Sequence, residues 1–314
     1  MRAWNCGMAT VGILAAVWAA SIVSDVGAAE TAASGSGRAS TTGDSGSSSR
    51  ESRRRAIEAM PLERMPQLQR KTVEKCLQST TLYRKLPIET FACDSDLLRF
   101  SLEKPEAIVD IWRVLGISRL ALDPAGPNQW RLSDGYGTVG VLRLLHREQH
   151  GSGGAMVLYG RGAYSGSLSP KALTGTCLLL VQYRAASPSV DGKPRQSVQI
   201  DAFLDTDGVG LEIVARTLQP IIVRSAASNL HEICLFMSSL SQSAQNNPEG
   251  VGHLADRLTR TDPEDRQSLA EIARAAAAAI HPQREPDPSA AARLQADLAA
   301  RWLPAEELDH LHRQ

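Results

Sequence analysis

With 314 residues, the chain is long enough for one sizeable domain with appendages, or for two small ones. Its 34 basic and 34 acidic residues cancel, so no overall field draws it to nucleic acid or to an anionic membrane, and a nucleic-acid partner is not expected.

The first 29 residues carry Arg2, a mostly apolar run from Met8 to Val23 and a small-residue exit at Gly27, Ala28 and Ala29. A basic start, an apolar segment shorter than a bilayer span and small residues at the exit are the parts of an export signal, with cleavage expected near Ala28 or Ala29. The other reading, an uncleaved anchor helix, must count Ser24 and Asp25 into the span. After cleavage no transmembrane segment is expected, and the protein belongs in the periplasm, at the envelope or outside the cell. Cys6 stands too early, with no apolar run before it, for a lipoprotein cysteine. The remaining cysteines are Cys76, Cys93, Cys177 and Cys234; in an oxidising compartment they permit three pairings. Cys76 and Cys93 flank one short segment and are the expected bridge. Cys177 and Cys234, in strongly apolar surroundings, are expected to be buried and reduced.

Residues 30–55, "ETAASGSGRASTTGDSGSSSRESRRR", nearly lack large apolar side chains. Such a segment buries too little surface to offset its ordering entropy, and a flexible tether is expected. Arg53, Arg54 and Arg55, beside Glu51 and Glu58, read as a solvated helix start.

Residues 56–246 read as the core domain. In "SLEKPEAIVDIWRVLGI" Ser101 is a candidate cap, and Ile108, Ile111, Trp112 and Leu115 recur at three- and four-residue spacing, which predicts an amphipathic helix. Strand candidates follow: "SRLALD", "QWRLSD", "TVGVLRLLH", "AMVLYGRG", "TCLLLVQYR" and "SVQIDAFLD", parted by turn-rich clusters such as "PAGPN" and "EQHGSGG". Hairpin spacing with no helix between predicts an antiparallel sheet. Val198, Ile200, Ala202 and Leu204 alternate with Gln199, Asp201, Phe203 and Asp205, the pattern of a sheet with one covered face. The cover is supplied by the next segment, whose Leu211, Val214, Leu218, Ile222, Leu230, Ile233, Cys234, Met237 and Leu240 fall on one stripe, with a kink or break at Pro220. The expected fold is α+β: a curved antiparallel sheet of about six strands under a long, Pro-kinked C-terminal helix. Residues 247–314 read as a helical tail, with Asp262 capping, Pro263 at the first helical position and Asp265 in the first turn. Its apolar faces are thin, and weak packing is expected.

Taken together, "CLQSTTLYRKLP", "EAIVDIWRVLGISRL", "SDGYGTVG" and "DGVGLEIVARTLQP" resemble a family of uncharacterised exported proteins associated with planctomycete bacteria, over about Cys76 to Arg260. That resemblance brings no activity, substrate or site residue. The order of helix, antiparallel strands and long helix is also similar to the helix-grip fold of START and Bet v 1-like proteins, which implies a hydrophobic ligand held between sheet and helix. Fold analogy alone assigns no function.

The candidate chemistry is sparse. "FLDTDGVGLE" suggests a calcium loop, but with Asp205 at position 1 or Gly208 at position 6 the remaining ligands fall on the wrong residues, and a strand end with a turn suffices. His231 and Cys234 stand one helical turn apart, a spacing that suits nucleophilic chemistry or half a metal site; a buried structural cysteine beside a partly exposed histidine is the simpler reading. "YGRGAYSGS" lacks the helix that a nucleotide fingerprint requires and reads as a hairpin. No cofactor is expected. Trp112, on the first helix with Asp110 and Arg113, is a candidate wall of a ligand pocket or a core anchor. Tyr159, Tyr164, Arg224 and His231 complete the candidate ligand-binding set, Arg224 as a contact for an anionic head group. The sequence therefore points to an exported non-enzymatic protein that binds a hydrophobic ligand between sheet and long helix. The alternative is a structural or interaction protein of the cell envelope with a filled interface.

Overall fold

The computed structural model describes residues 46–165, 173–190, 192–206, 211–280 and 289–299. The export segment, most of the tether, the loop around Gly208 and the last residues of the tail lie outside this set.

Helix α1 (Arg50–Glu58) opens the described chain, followed by a 3-10 turn at Leu62–Arg64 and α2 (Gln67–Ser79). Two short strands, β1 (Leu82–Lys85) and β2 (Glu89–Ala92), lead to α3 (Ser95–Glu103) and α4 (Pro105–Val114). The strands β3 (Ala121–Gly126), β4 (Gln129–Ser133), β5 (Thr138–His150), β6 (Gly153–Tyr164), β7 (Leu173–Ala186) and β8 (Arg195–Thr206) then run antiparallel. Four helices close the described chain: α5 (Leu211–Asn246), α6 (Pro248–Asp256), α7 (Pro263–Ile280) and α8 (Ala290–Ala299). The strands form one open sheet of eight in the order β1, β8, β7, β6, β5, β4, β3, with β2 also pairing β8. The sheet is larger than the sequence suggested because β1 and β2, four residues each, pair with successive halves of β8.

Both faces of the sheet are covered, not one. On the long-helix face Met156, Leu179, Val181, Val198 and Ile200 join a core with α3, α4, α5 and the tail helices. On the opposite, N-terminal face Val157, Leu178, Leu180 and Phe203 pack beneath Ala56, Met60, Val73 and Leu77 of the first two helices and the loop joining them. The unbroken apolar run Cys177 to Val181 serves both faces at once, as expected for a strand buried on each side. The chain is thus structural from Ser47, which bridges to Lys85, and the tether expected over residues 30–55 is corrected at its C-terminal end, where α1 begins at Arg50. Ser49 caps α1, and Arg54 and Arg55 lie exposed along it in ion pairs with Glu51.

Three other expectations are corrected. Ser101 is not a cap: it lies within α3, donating to the Leu98 carbonyl, while Asp94 caps α3 and Pro105 opens α4. Helix α5 runs 36 residues through Pro220 without a break, since one missing N–H removes one bond of the ladder while the turns on either side keep theirs. Side chains 211–225, Arg224 among them, lie outside the described residues. In the described half, Leu230, Cys234, Met237, Leu240 and Ala244 share the buried stripe.

The tail also packs firmly. Val251, Leu254, Leu269, Ala273, Leu294 and Leu298 belong to the same core as the sheet. Alanine faces look thin in sequence, yet their small side chains let helices approach closely. Gly250 shows the closeness: an added Cβ would lie 2.8 Å from the Ala290 carbonyl oxygen and 2.6 Å from the Asn247 side chain. Asn247 accepts from Gly250 N and donates to that same Ala290 carbonyl, joining α6 to α8. Asp110 of α4, 2% exposed, fastens the tail to the core by accepting from Arg260 N at 2.8 Å and Thr261 Oγ1 at 3.1 Å. Lys104 pairs with Asp265 at 2.9 Å across the same junction.

Candidate functional site

Between the sheet and α5 lies a cavity of about 210 Å³. Its floor is Leu142 of β5, Met156 and Leu158 of β6, Leu179 and Val181 of β7 and Ile200 of β8. Its roof is Leu230, Ile233, Cys234 and Met237 of α5. Ile108, Val109 and Trp112 of α4 and Ser101 and Leu102 of α3 close the ends. The local sequence explains the arrangement: period-two alternation on the strands directs one apolar set to the floor, and three- and four-residue spacing on α5 directs another to the roof. Branched aliphatic side chains on the facing surfaces meet around a gap they do not fill.

Among the described residues, no charged side chain lines this cavity. Its side-chain polar atoms are few. The Ser101 hydroxyl is given to the Leu98 carbonyl at 2.7 Å. The Trp112 indole N–H is buried with no acceptor, its ring edge-on to Phe236 at 5.8 Å. Burial pushes the Cys234 thiol far up, with the Glu89 carboxylate adding to the shift, so it stays protonated at neutral pH.

Of the candidate site residues, the structure brings Trp112 and Cys234 to the cavity and leaves His231, Tyr159 and Tyr164 elsewhere, while the Arg224 side chain lies outside the described residues. His231 is 53% exposed, with Nδ1 3.1 Å from Glu89 Oε2, and does not line the cavity. Tyr159 follows Val157 onto the N-terminal face, where it is half-buried. Tyr164 is buried at the far end of β6, opposite Thr138, and does not line the cavity. Asp201 is buried on the N-terminal face, accepting from the Tyr83 hydroxyl at 2.6 Å and from Gln199. Desolvation and that bond push the Tyr83 phenol well above its ordinary value.

The expected Cys76–Cys93 bridge is absent: Cys76, Cys93, Cys177 and Cys234 are all free thiols. Cys76 packs on the N-terminal face and Cys93 in the long-helix core, so the sheet stands between them. Among the described residues no group of three or more His, Cys, Asp or Glu side chains is placed to hold a metal. Asp205 lies near the end of β8, which closes at Thr206, and residues 207–210 of the suspected calcium loop lie outside the described residues. No described helix is long and apolar enough to cross a membrane.

The sequence reading set Val198 and Ile200 on the covered face but missed the part of the floor supplied by β5, β6 and β7. The signal for the floor was present in "CLLLV", too long an apolar run for a sheet with one covered face.

No family model matches the chain, and no curated protein matches it. Among solved structures, the chain is similar to the Mll3558 protein from Rhizobium loti, with 20% identity over 47% of this chain and 95% of that one and a TM-score of 0.24. An uncharacterized protein from Rhizobium leguminosarum is similar at 10% identity over 48% of this chain and 95% of that one, also with a TM-score of 0.24. Likenesses at this level carry no argument about function.

Proposed function

We propose that this is an exported, non-enzymatic protein that binds a small hydrophobic molecule between its sheet and α5. The observation that carries the reading is the cavity of about 210 Å³ with aliphatic floor and roof. Protein interiors pack to crystal density, and a void of this size forfeits the contacts of its lining atoms. A dry apolar cavity of about 150 Å³ takes up benzene, so this one is large enough for a small apolar guest. It is smaller than the roughly 300 to 1,000 Å³ that drug-sized ligands occupy, which argues against a two-chain lipid.

The walls favour binding over catalysis: the Ser101 hydroxyl is engaged, the Cys234 thiol is held protonated and His231 faces solvent. Export is supported by the pattern of residues 1–29 in the sequence.

Calorimetric titration with 1-octanol tests the binding. We expect saturable binding with a negative heat-capacity change, the mark of apolar burial, and its loss in Val181→Phe, whose ring would occupy the floor. No saturable binding to the unaltered protein would contradict the reading.

A further inference from the structure

Resting on that reading, we infer that the ligand is a single-chain amphiphile with an anionic head group, and that Arg147 holds the head group at the mouth of the cavity. The register across the sheet places this arginine. Arg147 of β5 stands opposite Met156, Met156 opposite Val181, and Val181 opposite Ile200, four side chains in one row on the long-helix face. Three of the four line the cavity; Arg147 is the fourth and carries the charge.

Strand β4 pairs with β5 only through Arg143, so at Arg147 β5 is the edge of the sheet, and α3 closes against it. There Arg147 Nη2 donates to the carbonyl of Leu102, a cavity-lining residue, at 2.8 Å. Its side chain remains 28% exposed. The guanidinium therefore sits where an aliphatic wall meets solvent, the position an amphiphile's head group takes when its chain is buried.

The guanidinium has donors to spare. Of its five N–H bonds, the one on Nε is buried with no acceptor. The nearest carboxylate, Glu103, comes only within 3.8 Å of Nη1 and is itself 43% exposed. Arg99, on the same helix as Glu103, is already paired with Asp96. A planar fork with unused donors matches a carboxylate, or another oxyanion, which accepts two N–H bonds side by side. The apolar walls exclude charge from the interior, so a head group of either sign must remain at the mouth. Since a cavity of about 150 Å³ takes up the six carbons of benzene, one of about 210 Å³ has room, in proportion, for a chain of about eight.

Three probes with the same chain and different heads test this: octanoate, 1-octanol and octylammonium, titrated at pH 7 into the unaltered protein and into Arg147→Gln. We expect octanoate to bind most tightly and octylammonium most weakly. Arg147→Gln should lower octanoate affinity about ten- to hundredfold, the worth of a charge-assisted bond, and leave 1-octanol unchanged. Equal binding of octanoate and 1-octanol by the unaltered protein, or tighter binding of octylammonium, overturns the head-group assignment while the cavity reading stands. So does an octanoate affinity that Arg147→Gln leaves intact. If none of the three binds, both fall.

Discussion

The two faces of the sheet are built from the same residue types and end in different states. On the N-terminal face Val157, Leu178, Leu180 and Phe203 are at most 1% exposed beneath α1 and α2, and the Phe203 ring meets Tyr83 at 5.1 Å. The buried charge Asp201 on this face is bonded by Tyr83 and Gln199. On the long-helix face Met156, Leu179, Val181 and Ile200 are also buried, at most 5% exposed, yet a cavity of about 210 Å³ separates them from α5. Aliphatic composition therefore does not decide whether a layer is filled; the spacing set by the covering helix does. The N-terminal face serves stability, and the long-helix face leaves room for a guest.

The largest effect expected from breaking this contrast is on the filled face. Phe203→Ala should cost about 3 to 5 kcal/mol of stability while leaving 1-octanol affinity unaltered below the melting transition; chemical unfolding and calorimetry read the two separately. The comparison sharpens when one enlargement is made on each side. Val157→Phe, on the filled face, should destabilise by about 1 to 3 kcal/mol through overpacking. Val181→Phe, on the cavity floor, should stabilise by about 0.5 to 2 kcal/mol and abolish binding. Equal and unfavourable shifts in both variants would mean that the long-helix face is as full as the other.

The buried thiols predict a pH dependence. Burial pushes Cys177 and Cys93 up to about 12 and Cys76 up to about 11, against about 8.5 for an unfolded thiol. The folded state therefore holds protons that the unfolded state releases. Stability is complete below about pH 8.5 and falls as pH rises through the folded values, by on the order of 1 kcal/mol per pH unit for each fully buried thiol. Tyr83 adds to the decline above about pH 10. Denaturation midpoints measured from pH 7 to 11 should trace this slope, and Cys177→Ala should flatten it. The smallest effect is at His231: its half-exposed pair with Glu89 should contribute under about 0.5 kcal/mol. His231→Ala should leave both stability and octanol affinity nearly unaltered, and a marked loss of binding would place the histidine at the site after all.

Where periodicity is long, the fold was legible: all six later strands, the long helix and the helix opened by Pro263 follow from alternation, stripe spacing and turn residues. Strands β1 and β2 were not, because four residues are too few to show alternation and their partner β8 lies over a hundred positions away. Helix α1 begins in a Ser- and Arg-rich stretch with little apolar periodicity, and Ala56 is its one buried residue. Of the site, Trp112 and Cys234 were legible as inward-facing residues. The cavity was not, since an unfilled volume belongs to the distance between layers and to no residue. Arg147 reads as an ordinary charge on a strand until register sets it in a row with Met156, Val181 and Ile200.

The central claim, that the gap beneath α5 is occupied in life, is tested most directly by native mass spectrometry of the protein purified from the envelope fraction of its own host, repeated under denaturing, non-reducing conditions. The account predicts a small-molecule mass surplus in the native spectrum that vanishes on denaturation. A bare polypeptide mass in both spectra would contradict it and favour an envelope protein that works through its partners.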